Sequence, residues 1–142
     1  MVAFFKGIIW EPTGPATTDI ANLVDQKTLD FGAIPFASGY YVFKLRLQIG
    51  WNAGASGANN LNGVFTFYDG VDSRQSINWG RLKTGSAGFG YGTAEEFGLD
   101  FVTIVTQGNH LSVVASQQAY ILGGQLTVYE LPPYQIDGAT LT

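Results

Sequence analysis

From residue 40 to residue 51 the chain alternates without a break. Tyr41, Phe43, Leu45, Leu47, Ile49 and Trp51 share one parity, and Tyr40, Val42, Lys44, Arg46, Gln48 and Gly50 share the other. Successive side chains of a strand point to opposite faces, so the first set forms one continuous apolar face. Wound as an α-helix, the same residues would scatter around the whole circumference. A stretch this long and regular predicts a central strand with one face in a core.

The remaining apolar runs are short and are separated by turn residues. Residues 64–68 are β-branched and aromatic and end at Asp69-Gly70, a tight-turn dipeptide. Residues 76–82 place Ile77 and Trp79 on one face. Segments 101–106 and 111–116 flank Gln107-Gly108-Asn109-His110, which reads as a hairpin. Residues 125–131 put Leu126 and Val128 on one face and Tyr129 on the other, and Pro132-Pro133 ends the run, because proline cannot donate to a ladder. Residues 3–10 and 28–31 are further candidates, and 18–24 offers at most a single helical turn. Two glycine-rich stretches, 50–63 and 85–92, read as exposed loops. The pattern predicts an all-β sandwich or barrel.

At 142 residues the chain suits one domain. It has no cysteine, so disulfides and thiolate metal sites play no part. Only 13% of its residues are charged while 46% are hydrophobic, against about 25% charged in ordinary soluble domains. Either much of the surface is covered by other subunits, or the exterior is rich in Ser, Thr, Asn and Gln. The net charge is −4 and the seven basic residues are scattered, so no stripe is available to neutralise phosphates, and nucleic acid is not expected as a partner. No run approaches the roughly 18–20 apolar residues of a membrane span. Residues 1–10 lack the charged start, apolar middle and small-residue cleavage site of a signal peptide. The chain is expected to stay in its cell of synthesis or to leave by lysis or a dedicated route.

The inventory of reactive side chains is thin. His110 is the only histidine, so any Ser-His-Asp arrangement must run through it; its place in a turn predicts a solvated ring. Glu95-Glu96 is the one adjacent acidic pair, yet neighbours in a strand face opposite ways and cannot flank one bond. Asp69, Asp72 and Asp100 could offer oxygen to calcium, though turn chemistry already accounts for Asp69-Gly70. Gly88-Phe89-Gly90-Tyr91-Gly92 looks like a phosphate loop, but no helix follows it. The expectation is no catalytic residue, no metal, no cofactor and no enzymatic activity. Trp51, Asn52, Asn59, Asn60, Phe89 and Tyr91 combine aromatic faces with amides in the glycine-rich loops. That combination suits either a sugar or a subunit interface. Phe4, Phe5, Ile8, Ile9, Trp10 and Tyr134 are candidate assembly contacts, since apolar ends with little to bury gain from docking on neighbours.

Three segments resemble the tumour-necrosis-factor/complement-globular-head jelly rolls. Gly39-Tyr40-Tyr41-Val42-Phe43 is similar to the lead-in to that family's first long core strand. Gly108-Asn109-His110-Leu111-Ser112-Val113 is similar to the start of a late strand, with Asn109 where the family usually has Asp. Residues 123–131 resemble the closing strand. The resemblance implies a two-sheet jelly-roll sandwich of about eight to ten antiparallel strands over 31–131, packed as a homotrimer. Residues 1–30 would then form an N-terminal arm or edge strand, and 132–142 a tail. Viral and phage proteins of this fold share the glycine-rich, charge-poor style. The expected role is a virion structural protein made in the host cytoplasm: a capsid decoration, head-fibre or minor capsid subunit that contacts the major capsid protein. The alternative is a receptor- or carbohydrate-binding knob of a tail or fibre, with a cell-surface glycan as partner.

Overall fold

The computed structural model describes residues 7–14, 27–51, 60–82, 94–117 and 119–131. These carry eight strands: β1 (Ile8–Trp10), β2 (Thr28–Ala33), β3 (Gly39–Trp51), β4 (Asn60–Asp69), β5 (Asp72–Leu82), β6 (Ala94–Val105), β7 (His110–Gln117) and β8 (Ala119–Glu130). One sheet has the order β1-β8-β3-β6 and the other β2-β7-β4-β5, with every pairing antiparallel. The first strand therefore pairs with the eighth, the second with the seventh, the third with the sixth and the fourth with the fifth. A chain folded back on itself and then rolled gives this nesting, which is the jelly roll.

β3 is an interior strand, as its alternation predicts. Phe43, Leu45, Leu47 and Ile49 have at most 3% of their surface exposed, while Tyr40 and Gln48 are exposed. From the opposite sheet Phe65 and Phe67 complete the filling. Phe67 lies 5.4 Å from Phe43 and 5.0 Å from Phe101, and Phe65 lies 5.1 Å from Phe97. These aromatic pairs tie the two sheets together, each adding about 0.5–1.5 kcal/mol beyond its buried area.

Two expectations change. The 107–110 turn is not a hairpin, because β6 and β7 belong to different sheets. The turn carries the chain across the end of the sandwich. Gly108 holds φ at 89°, and its N–H donates to Ile34 O at 2.9 Å, while Ile34 N–H donates to Asn109 O at 2.9 Å. The Gly-rich segment after β3 is also shorter than the sequence suggests, since β3 reaches Trp51 and β4 already begins at Asn60.

The same end is stitched by side chains. Asp69, fully buried, accepts from Thr106 N–H at 3.1 Å and from Arg74 at 3.2 Å. Gln107 donates its N–H to Ser38 Oγ at 2.8 Å and its side-chain amide to Pro35 O at 3.0 Å. The β2–β3, β4–β5 and β6–β7 connections thus form one cap.

Candidate functional site

Register decides which side chains meet on the outer face of the β1-β8-β3-β6 sheet. Directly opposed residues of antiparallel strands project from the same face. Ile8 opposes Tyr129, Tyr129 opposes Val42, and Val42 opposes Val102. These four form an apolar row across all four strands, about 14 Å long at the usual strand spacing of about 4.8 Å. Tyr40 and Ile104 oppose each other on the next row outward. Tyr40 is 60% exposed, Val102 53%, Ile8 49% and Ile104 37%.

Among the described residues the apolar surface is one-sided. The exposed large hydrophobics among them are Ile8, Ile9, Tyr40, Val102 and Ile104 on this sheet, Leu131 directly after it, and Val71 in the β4–β5 turn. The outer face of the other sheet runs instead through Thr28, Val114, Thr66 and Ser76 in one row and Asp30, Ser112, Tyr68 and Ser73 in the next. Ser76 Oγ donates to Thr66 Oγ1 at 3.2 Å there. Isolated exposed apolar residues are ordinary, but a contiguous patch confined to one face marks an interaction surface.

Along β3 the same outer face turns polar. Lys44 opposes Asp100 and Thr127, and Arg46 opposes Gly98 and Gln125. Gln125 in turn meets Thr13, because the segment after β1 continues along the edge of β8, with Gly14 N–H donating to Gly124 O at 2.9 Å. Arg46 lies over Gly98, where a Cβ would come within 2.4 Å of its guanidinium. It donates to Asp100 Oδ1 at 3.1 Å and to Leu45 O at 2.9 Å. A cleft of about 200 Å³ opens beside it, with Thr13, Arg46, Gln48, Glu96 and Gln125 as walls and backbone from Gly14 and Gly124.

The residues singled out from sequence are dispersed. Ile8 joins the apolar row and Ile9 is exposed beside it, whereas Trp10 turns back onto the core, edge-on to Phe36 at 5.9 Å. Trp51 ends β3 and Asn60 starts β4, so both lie at the end opposite the stitched cap. Asn52, Asn59, Phe89, Tyr91, Phe4, Phe5 and Tyr134 lie outside the described residues. His110 Nδ1 sits 3.0 Å from both carboxylate oxygens of Asp30, an exposed pair joining β7 to β2. Asp69 and Asp72 share Arg74, at 3.2 and 3.5 Å, while Asp100 faces Arg46 on another sheet. The three carboxylates therefore do not converge. Among the described residues no three His, Cys, Asp or Glu side chains are placed to hold a metal ion. Glu96 lines the cleft.

Sequence reasoning missed both the row and the cleft. The signal was present in the outward parity of β3, which passes from Tyr40 and Val42 to Lys44, Arg46 and Gln48. The partners on β1, β6 and β8 are fixed only by register.

No protein-family profile matches the chain, and no curated protein sequence matches it. Among solved structures it is similar to Eiger TNF from S. frugiperda, at 7% identity over 75% of this chain and 66% of that chain, with a TM-score of 0.43. It is also similar to a carbohydrate-binding module from Cellvibrio mixtus lichenase 5A in complex with cellotriose. There the identity is 16% over 87% of this chain and 90% of that one, with a TM-score of 0.38. Likenesses this distant bear on neither assembly nor binding.

Proposed function

We propose that this chain is a structural subunit that assembles with copies of itself through the apolar rows of the β1-β8-β3-β6 face. The observation that carries the reading is the one-sidedness of that surface: Ile8, Tyr129, Val42 and Val102 in one row, with Tyr40 and Ile104 beside them, against a Ser/Thr-dominated face on the other sheet. A charge content of 13% supports it, since a chain so poor in charge gains solubility by covering apolar surface. Three copies is the number the jelly-roll resemblance implies. In its finer form the subunit belongs to a virion, as a capsid decoration, head-fibre or minor capsid protein seated on the major capsid protein.

The test is the oligomeric state of the full chain by native mass spectrometry and light scattering, with and without Tyr40→Asp combined with Val102→Asp. Both positions are more than half exposed, so the fold tolerates the change. A carboxylate closed into an apolar interface costs several kcal/mol, which weakens association by about a hundredfold or more per site. The expected result is a trimer that the double substitution converts to a folded monomer. A monomeric wild-type chain at micromolar concentration would refute the reading, and so would an oligomer that the double substitution leaves intact.

A further inference from the structure

We propose that the cleft beside Arg46 is a binding site for one ring of a neutral saccharide. The site lies apart from the apolar rows and does not depend on the assembly reading. Its chemistry narrows the ligand in steps. Arg46 is already matched by Asp100 at 3.1 Å, and Glu96, across from Gln48 on β6, adds a second carboxylate. The walls therefore offer no uncompensated positive charge to an anion, and the Glu96 carboxylate is left to accept from ligand hydroxyls. Thr13, Gln48 and Gln125 each carry a donor and an acceptor, so the ligand must itself present both.

Planar groups dominate the walls: two amides, a carboxylate and a guanidinium. Each can bind two adjacent polar atoms at once, and adjacent hydroxyls on a sugar ring supply such pairs. A nucleobase would call for an aromatic surface to stack on, and none lines this cleft. An extended peptide would add in the plane of the sheet at a strand edge, whereas Arg46, Gln48 and Gln125 project from the outer face of β3 and β8, each paired on both sides. The volume of about 200 Å³ falls below the roughly 300–1,000 Å³ of drug-sized pockets, so it holds a single ring.

The site is also built in advance. Arg46 is held at both its carboxylate and carbonyl partners, and Gly98 leaves it room to lie flat. Gly14 and Gly124 are locked by the hydrogen bond between them and by the core beneath. A Cβ at Gly14 would come within 2.4 Å of Leu29, and one at Gly124 within 2.8 Å of Leu29 and Leu47. Without an aromatic platform a single ring binds weakly, in the millimolar range. Copies displayed together would raise the effective affinity through multivalency.

The test is a titration of the isotope-labelled full chain with glucose, galactose, mannose and N-acetylglucosamine, followed by NMR. At least one sugar is expected to shift the side-chain amide signals of Gln48 and Gln125 and the backbone signal of Gly124, saturably. Gln48→Ala is expected to weaken that binding about tenfold, the loss of one or two hydrogen bonds. Ser76→Ala, on the other sheet, is expected to leave it unchanged. Absence of saturable shifts with all four sugars would overturn the proposal, as would shifts seen only with glucuronate or sulfate. The Tyr40→Asp and Val102→Asp double variant separates the two readings: it alters assembly and leaves monovalent sugar shifts in place.

Discussion

Among the described residues Asp69 is the charged side chain that the fold buries completely, and removing it tests how the capped end is held. Its Oδ2 accepts from Thr106 N–H at 3.1 Å and from Arg74 at 3.2 Å, while Arg74 reaches Asp72 more weakly at 3.5 Å. Asp69→Ala strands the Thr106 N–H and takes away the nearer of Arg74's two partners. Breaking a buried ion pair by deleting one member costs about 3–5 kcal/mol. Arg74 keeps a quarter of its side chain in water and retains Asp72, which places this case at the lower end, about 3 kcal/mol. Asp69→Asn preserves an acceptor for Thr106, loses the charge and places an amide NH2 where Oδ1 has no partner. Hydrogen bonds to charged groups are worth about 1.5–3 kcal/mol and neutral ones about 0.5–1.5, so the lost charge costs about 1–1.5 kcal/mol, and with the unpartnered NH2 Asn should cost about 2 kcal/mol.

The assay is urea unfolding near pH 7 at one fixed protein concentration, since association couples to stability. The order wild type, Asn, Ala is the expected result. Equal losses for Ala and Asn would refute the hydrogen-bond argument, and losses under about 0.5 kcal/mol for both would refute burial as the cause. Thr106 directly follows Ile104 and Val105 at the end of β6. The Ala variant should therefore also weaken self-association, although Asp69 lies on neither outer face.

Two further predictions rest on local geometry. Gly124→Ala drives a Cβ to 2.8 Å from Leu29 and Leu47, both buried, and to 3.0 Å from the Arg46 carbonyl. Overpacking of this kind costs about 1–3 kcal/mol, measurable as a lowered urea midpoint, whereas Gly7→Ala, with nothing within 4 Å, should cost nothing comparable. Lys27 donates to Ala119 O at 2.7 Å with its ammonium over the Tyr120 ring, and burial lowers its pKa from 10.5. Between the folded and unfolded pKa values the unfolded chain binds more protons, so Lys27 makes stability rise with pH in the alkaline window below 10.5. Lys27→Met should flatten that rise, and an identical pH slope in wild type and variant would count against desolvation of the amine.

The sequence was most legible where one face alone decides the pattern. β3 alternates because its inner face meets Phe65 and Phe67 while its outer face stays partly in water, so parity predicts burial from Val42 to Ile49. The first half of β8 was missed for the opposite reason. Ala119, Tyr120, Ile121 and Leu122 are all buried, and a strand covered on both faces shows no alternation. Tyr120 and Leu122 form a small cluster of their own, with Lys27 lying over the Tyr120 ring. The 107–110 turn misled because turn chemistry is local. Glycine at a positive φ serves a hairpin and a sheet-crossing connection equally well, and only long-range pairing of β6 with β3 and of β7 with β2 and β4 separates the two. Asp69-Gly70 was likewise legible as a turn, but the burial of Asp69 depends on Thr106 and Arg74, contacts that dipeptide statistics do not contain.

Assembly and ligand binding can share one sheet face because the charged row lies between them. Val42 and Arg46 are four residues apart on β3, about 13 Å along the strand, with Lys44 and Asp100 midway. An interface extended over the cleft would have to bury Lys44, Arg46, Asp100 and Glu96, whose desolvation outweighs the small apolar area gained there. An interface that stops at Lys44 and Asp100 closes over Ile8, Tyr129, Val42, Val102, Tyr40 and Ile104 and leaves those charges in water at its rim. Rim charges govern approach and orientation more than affinity. Lys44→Ala should therefore slow association and reduce its salt dependence while leaving dissociation nearly unchanged, the opposite of what an apolar substitution at Val102 would do.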